Sequence, residues 1–309
     1  MRWMVIIFCW LIILNSNCFG KDNSYSKAGK SAATFLKIGI DARASAMGEA
    51  YVGLAEGVSS IYYNPAGLTQ NKTQEATFMH HAYFEGINHE FVGYIQPIDA
   101  HRVIGVGITG LFIDDIPRKT KATVVNEGSF GSNDYCLIFS LGQKIKEDIS
   151  GGLSLKIIHQ KLNNEKGLGV GVDAGVFYKN YTKEGFNLGV VVQNIGTKMK
   201  IYKDKFSLPT IFKFGIAYRL PDDKLLLVCD LKKPYDNEAS IHLGLEYQIL
   251  KSVLLRVGYR YKLDNLANEP LTNLTCGIGF VIKDFKLDYA FMPYDKLEDT
   301  HRISLTRSF

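Results

Sequence analysis

Seven histidines are the first residues to test for chemistry: His80, His81, His89, His101, His159, His242 and His301. None stands at a metal-ligand spacing such as His-Glu-x-x-His. His80 and His81 are adjacent, so on a strand they face opposite sides and cannot chelate one ion together. Asp299, His301 and Ser304 have the residue types of a hydrolytic triad. Strand alternation, however, points Ser304 away from His301 and separates nucleophile from base. The glycines of VIGVGITG open no helix, which removes a dinucleotide site. No Cys-x-x-Cys pair occurs, and Cys136, Cys229 and Cys276 are widely spaced and odd in number, against both a zinc ribbon and a disulfide framework. The expectation is a non-enzymatic chain with no catalytic residue, metal ligand or cofactor.

The elements that could hold other functional residues begin after a leader. Residues 1–20, MRWMVIIFCWLIILNSNCFG, pair an early Arg2 with an apolar core from Met4 to Leu14, too short for a membrane helix. Asn15, Ser16 and Asn17 end that core, and the segment reads as a secretory signal peptide. Lipidation at Cys18 would need a better approach than those three polar residues. The 36 basic and 31 acidic residues leave a mild charge of +5 and are scattered, so no nucleic-acid partner is indicated. A mean hydropathy near zero excludes a polytopic helical membrane protein.

From about Glu75 onward the chain alternates with period two, the signal of strands. In IHLGLEYQIL, Ile241, Leu243, Leu245, Tyr247 and Ile249 share one face, with His242, Gly244, Glu246 and Gln248 on the other. VLLRVGYRY, FKLDYAF and LGVGVDAGVFYK behave alike. About fourteen such segments are expected, each near the ten residues that a tilted membrane strand requires. Short connections (IDAH, KIKED, YTKEG, LPDD, LKS, IKD) alternate with mostly longer ones, among them LNNEKG, IGTKMKIYKDKFS and KLDNLANE. A soluble sandwich would not order its loops in this way, whereas an outer-membrane barrel does. Aromatics gather near strand ends (Tyr178, Tyr218, Tyr259, Tyr261, Tyr289, Phe291), as in interfacial girdles. The last strand ends on Phe309, resembling the signal read by the outer-membrane insertion machinery, with Arg307 as an outlier on its apolar row.

The fold class expected is therefore an all-β membrane protein: an antiparallel transmembrane barrel of about fourteen strands at residues 74–309, with a short helical or irregular plug within residues 21–73. Such a ring encloses more space than side chains fill. Many inward positions are glycine, among them Gly152, Gly175, Gly189, Gly215, Gly244, Gly258 and Gly277, which leaves room for a close backbone. The alanine-rich stretch 42–55 suits a short helix, and the turn of YYNPAGL would end the plug. There Asn64 would cap, Pro65 start the turn, Ala66 follow and Gly67 permit a reversal. Inward Lys156, Asp173, Lys213, Arg219, Asp230, Glu246, Arg256, Arg260, Lys286 and Asp288 are of mixed sign and are expected to pair inside a wet lumen.

FLKIGIDARASAMGEAYVGLAEGVSSIYYNPAGL resembles the N-terminal signature of the PorV/PorQ family of outer-membrane proteins, and LDYAFMPYDKLEDTHRISL resembles that family's last strand pair. The resemblance implies a FadL-like barrel with an N-terminal hatch and an Asn-Pro-Ala element, with Gly39, Arg43, Met47 and Gly48 as plug-packing positions. The family's second glycine after Met is here Glu49, which puts a carboxylate on the plug. The implied function is a component of type IX secretion, in the bacterial outer membrane, that receives secreted proteins carrying C-terminal sorting domains. A FadL-like conduit for hydrophobic small molecules is the alternative. Outer-membrane lipid and the insertion machinery are the other expected partners.

Overall fold

The computed structural model describes residues 29–119, 127–180, 185–263, 273–294 and 298–309. The expected signal peptide at 1–20 and most of the linker behind it lie outside these residues. Sixteen strands follow a plug: β1 (Glu75–Ala82), β2 (Asn88–Pro97), β3 (Arg102–Pro117), β4 (Ser129–Lys144), β5 (Ile149–Leu162), β6 (Glu165–Lys179), β7 (Phe186–Gly196), β8 (Met199–Ile201), β9 (Asp204–Phe206), β10 (Ile211–Arg219), β11 (Leu225–Pro234), β12 (Ser240–Leu250), β13 (Val253–Lys262), β14 (Leu274–Ile282), β15 (Phe285–Met292) and β16 (Thr300–Ser308). All but β8 and β9 form one antiparallel barrel in chain order, closed by β16 on β1 from Glu75↔Ser308 to Ala82↔His301. It is a fourteen-stranded transmembrane β-barrel.

Alternation assigns each residue its side. Leu153, Leu155 and Ile157 on β5, Leu243 and Leu245 on β12, and Ile303 and Leu305 on β16 are exposed on the exterior. The residues between them turn inward: Ser154 and Lys156, His242 and Glu246, Arg302 and Ser304 are buried. An apolar exterior, with many polar and charged side chains turned inward, matches a barrel solvated by lipid.

Among the described residues the connections differ from expectation in two places; most of YTKEG and KLDNLANE lies outside those residues. LNNEKG is a two-residue turn between Leu162 and Glu165, because β5 and β6 run on instead of ending at the apolar band. Strands β3 to β6 have 14–16 residues, longer than the ten a span requires. IGTKMKIYKDKFS carries the small β8–β9 hairpin, which folds Met199 over Gly169 on the inner side of the wall.

The plug enters at the rim with the longer loops and leaves at the rim with the short turns. Ala32 N donates to Ser207 O, Ala33 N to the Gln160 side chain, and a 3-10 turn spans Thr34–Lys37. Helix α1 (Ala42–Ala46) has only five residues, and Asp41 caps it by accepting from Arg43 N at 2.6 Å and Ala44 N at 3.3 Å. Helix α2 (Ser60–Tyr63) precedes a 3-10 helix at Pro65–Gln70. The chain thus circles the lumen: α1 lies against β13 to β16, residues 47–53 against β10 to β13, and Pro65–Gln70 against β3 to β6.

Candidate functional site

The seam between plug and wall holds the residues singled out from the sequence. Asn64 is fully buried and extended at φ −163°; its Oδ1 accepts from Ala66 N at 3.2 Å, and its Nδ2 donates to Val176 O at 3.2 Å. One side chain therefore caps the 3-10 helix and fastens it to β6. Pro65 opens that helix with its φ pre-set and no N–H to satisfy. Pro65 and Ala66 pass so close to Gly152 that a methyl group there would run into their backbone. Gly67 departs from expectation: it is not among the residues with left-handed φ, and its smallness instead admits the backbone and methyl of Ala55.

On the opposite side, Gly48 adopts φ +66°, and its N donates to Thr275 Oγ1 at 3.1 Å. Its carbonyl takes a 2.5 Å hydrogen bond from His242 Nδ1. Met47 is buried over Gly244, where an added methyl would lie 2.6 Å from Met47 Cβ. Gly39 leaves room for the Glu49 carboxylate and the Tyr63 hydroxyl. Arg43 donates twice to Glu246 at 2.7 Å and once to Glu56 at 2.6 Å, and lies 5.9 Å from the Tyr51 ring centroid. Phe309 stands apart from this seam: it is exposed on the exterior, with Arg307 4.7 Å from its ring centroid.

Arg302 was not legible as a functional residue, although the alternation of HRISL already places it on the inward row. It is 2 % exposed and reaches across to the plug, contacting Ser45 Oγ, Glu49 at 3.2 Å and His81 Nδ1 at 2.9 Å. Glu49 also accepts from Tyr63 OH at 2.5 Å and Ser45 Oγ at 2.7 Å. Burial pushes its carboxyl up, but the Arg302 charge and the two hydroxyls outweigh burial and hold it at about 2. Glu49 is therefore ionised at neutral pH. Its backbone is left-handed, at φ +67°, which a glycine would adopt without strain. The carboxylate's three partners offset that cost. Tyr63 thus supports Glu49, and Tyr62 donates from its hydroxyl to Leu36 O at 2.9 Å. Burial also raises the pKa of both phenols, ahead of the nearby carboxylates.

Most of the charged residues expected to pair in a wet lumen do pair, some of them out of solvent, while Lys286 stays exposed and Arg219 partly so. Lys156 and Asp173 pair at 2.6 Å with almost no exposure, and Arg256 bridges Glu246 and Asp288 at 2.7 Å each. Solvent reaches part of the second network through a polar cavity of about 310 Å³ near the short turns, lined by Arg43, Glu56, Arg219, Glu246, Arg256 and Asp288.

The β6–β7 ladder carries a one-residue bulge near the Asn-Pro element, one of three register shifts in the barrel among the described residues. The β6–β7 register passes from Val172↔Ile195 to Ala174↔Val192, so Asp173 faces both Gln193 and Asn194. Asn194 is left-handed at φ +59°, and its N donates to Asp173 Oδ1 at 2.7 Å in place of a ladder partner. Such a bulge bends the strand and leaves one residue out of the ladder. A few residues nearer the short turns, the exterior carries an apolar depression of about 390 Å³ lined by Leu153, Val176, Val190 and Val192 over Gly152 and Gly175.

No family model matches the chain, and no curated protein matches it in sequence. Solved structures do match. The Ralstonia pickettii toluene transporter TbuX superposes with TM-score 0.62 at 13% identity, covering 88% of this chain and 98% of that one. The Pseudomonas putida toluene transporter TodX gives 0.62 at 14%, covering 87% and 97%. A Pseudomonas aeruginosa FadL homologue gives 0.61 at 10%, covering 87% and 98%. The fold is that of the FadL-like outer-membrane barrels. At these identities the likeness concerns the architecture.

Proposed function

We propose that the protein is a non-enzymatic outer-membrane conduit for small hydrophobic molecules, exported by its signal peptide and gated by its plug. The observation that carries this reading is the β6–β7 bulge close to an apolar outer depression. There the wall is one backbone thick, and Asn64 to Ala66 lie directly behind it. Phe35, Leu36, Met199, Leu208, Ile61 and Leu68 are buried in one packed apolar cluster, which an apolar solute would enter only when the plug shifts. Burial against such surfaces is favourable for a hydrocarbon and not for an ion. The similar barrels named as toluene transporters agree with this chemistry. In this reading the long-loop rim faces the cell exterior, the short turns face the periplasm, and Phe309 serves the insertion machinery.

The second reading is the PorV/PorQ-like one, a component that handles secreted proteins with C-terminal sorting domains. Its specific support is the extension of β3 to β6 beyond the apolar band, which offers a rigid outer surface for protein contact. Accumulation of a labelled monoaromatic hydrocarbon and a labelled fatty acid, by cells with and without the protein, tests the first reading. Protein-dependent influx is expected. Background influx for both solutes, together with stoichiometric capture of a secreted protein from the native envelope, would replace it with the second.

A further inference from the structure

We propose that the outer face of the β5–β6 hairpin, at Lys161 and Lys166, binds a phosphate group of an outer-leaflet glycolipid. The site rests on the outer-membrane reading above, with the long-loop rim outward.

The two lysines are direct cross-strand partners in the β5–β6 register. Like charges directly opposite one another on neighbouring strands destabilise the pair. Among the described residues no carboxylate forms an ion pair with either lysine, unlike Lys37, Lys156, Lys233 and Lys286. Alternation puts Glu165 on the opposite face. Arg118 adds a third cation at the hairpin tip, where its Nη2 donates to Asn163 Oδ1 at 2.8 Å.

Their height is what selects the ligand. Outward residues on β6 run Val176, Ala174, Val172, Val170 and Leu168 before reaching Lys166; on β5 they run Leu153, Leu155, Ile157 and His159 before Lys161. Tyr135 lies 6.4 Å from the His159 ring and 5.3 Å from Phe112, which forms an aromatic patch just below the lysines. From Tyr178, at the opposite edge, to Lys166 the strand climbs about 30 Å, taking about 3.4 Å per residue and a tilt of about 40°. The apolar band of such barrels is about 25 Å tall. The paired ammonium groups therefore stand just above the hydrocarbon, at the level of lipid headgroups. A phosphate there would accept charge-assisted hydrogen bonds from both and cancel their repulsion.

The test uses the purified full chain in detergent micelles, with binding of diphosphoryl lipid A, its dephosphorylated form and inorganic phosphate followed by native mass spectrometry. Wild type should retain the phosphorylated lipid, and K161Q/K166Q should weaken it by at least about tenfold. K161R/K166R should bind as wild type does. A second opposed pair, Lys200 and Lys205 on the β8–β9 hairpin, supplies the control, and K200Q/K205Q should change binding by less than about twofold. Heat-modifiable migration of each variant checks that the barrel has formed. Equal binding of the dephosphorylated lipid, equal occupancy by inorganic phosphate, or equal losses in the two glutamine variants would overturn the site. Recovery of the protein outside the outer-membrane fraction would instead remove the reading beneath it.

Discussion

The two halves of the plug–wall seam are built from different physics. Along β2 to β6 the contact is mostly apolar: Ile61, Leu68, Phe91, Ile95, Ile138 and Ile158 are fully buried, and glycines bring the wall close. The Lys156–Asp173 pair is buried there too. Along β10 to β16 it is charged and directional: Asp230 accepts from Tyr51 N and Val52 N at 2.8 Å, Glu246 holds Arg43, and Arg302 holds Glu49. Burying one large aliphatic or aromatic side chain contributes about 1.5–3 kcal/mol, so the apolar half supplies most of the plug's cohesion. A buried ion pair adds little net stability, because desolvation nearly cancels attraction, but losing one partner costs about 3–5 kcal/mol. The apolar half holds the plug in the barrel, and the charged half fixes where it sits.

The sharpest way to break that division is R302A, which leaves Glu49 buried with its main cation gone. A loss of about 3–5 kcal/mol in barrel stability is expected from denaturant unfolding in detergent, and R302A/E49A should recover part of it. If the double variant is as damaged as the single one, Arg302 acts through packing and the charged half is not electrostatic.

Acid probes the same pair. The Glu49 pKa in the folded protein is depressed, from an ordinary 4.5 to about 2. A depressed carboxylate contributes stability that is present above its unfolded value and lost as pH falls towards the folded value. Thermal melts should therefore weaken between about pH 4.5 and pH 2, by up to about 3 kcal/mol from this group. The E49Q variant should show a shallower acid slope. An unchanged slope would assign the acid response to other carboxylates.

On the apolar side, G152V drives a branched side chain into the Pro65–Ala66 backbone. Overpacking of this kind costs about 1–3 kcal/mol, and the plug should shift and admit small hydrophilic solutes in a liposome-swelling assay. Unchanged stability together with a closed barrel would show that the wall yields there. The smallest effect belongs outside the seam. R307L on the exterior of β16 should alter stability by no more than about 1 kcal/mol, because the residue lies at the interface and not at the midplane.

Much of this architecture was legible from local pattern. Period-two alternation requires only neighbouring residues, so IHLGLEYQIL, VLLRVGYRY and FKLDYAF declared both their strands and their inward faces. The barrel holds the fourteen strands expected, beginning at Glu75. Inward glycines such as Gly175 and Gly258 announced that backbone would approach the wall, since a side chain at either would meet Asn64 or Gly48. What the pattern could not supply was partnership. Arg302 and Glu49 are 253 positions apart, and Asp230 and Tyr51 are 179 apart. Whether they meet depends on closure of β16 on β1 and on the stagger of all fourteen strands, which is a property of the ring. The bulge at Asn194 is equally silent in NLGVVVQNIG, because a residue leaves the ladder only when Asp173 on the neighbouring strand captures its N–H. Sequence alone determined which residues face inward, since that follows from the geometry of one strand. Only the tertiary structure decided which of those inward residues pack against apolar plug side chains and which pair as ions, because that depends on where the plug lies across the ring.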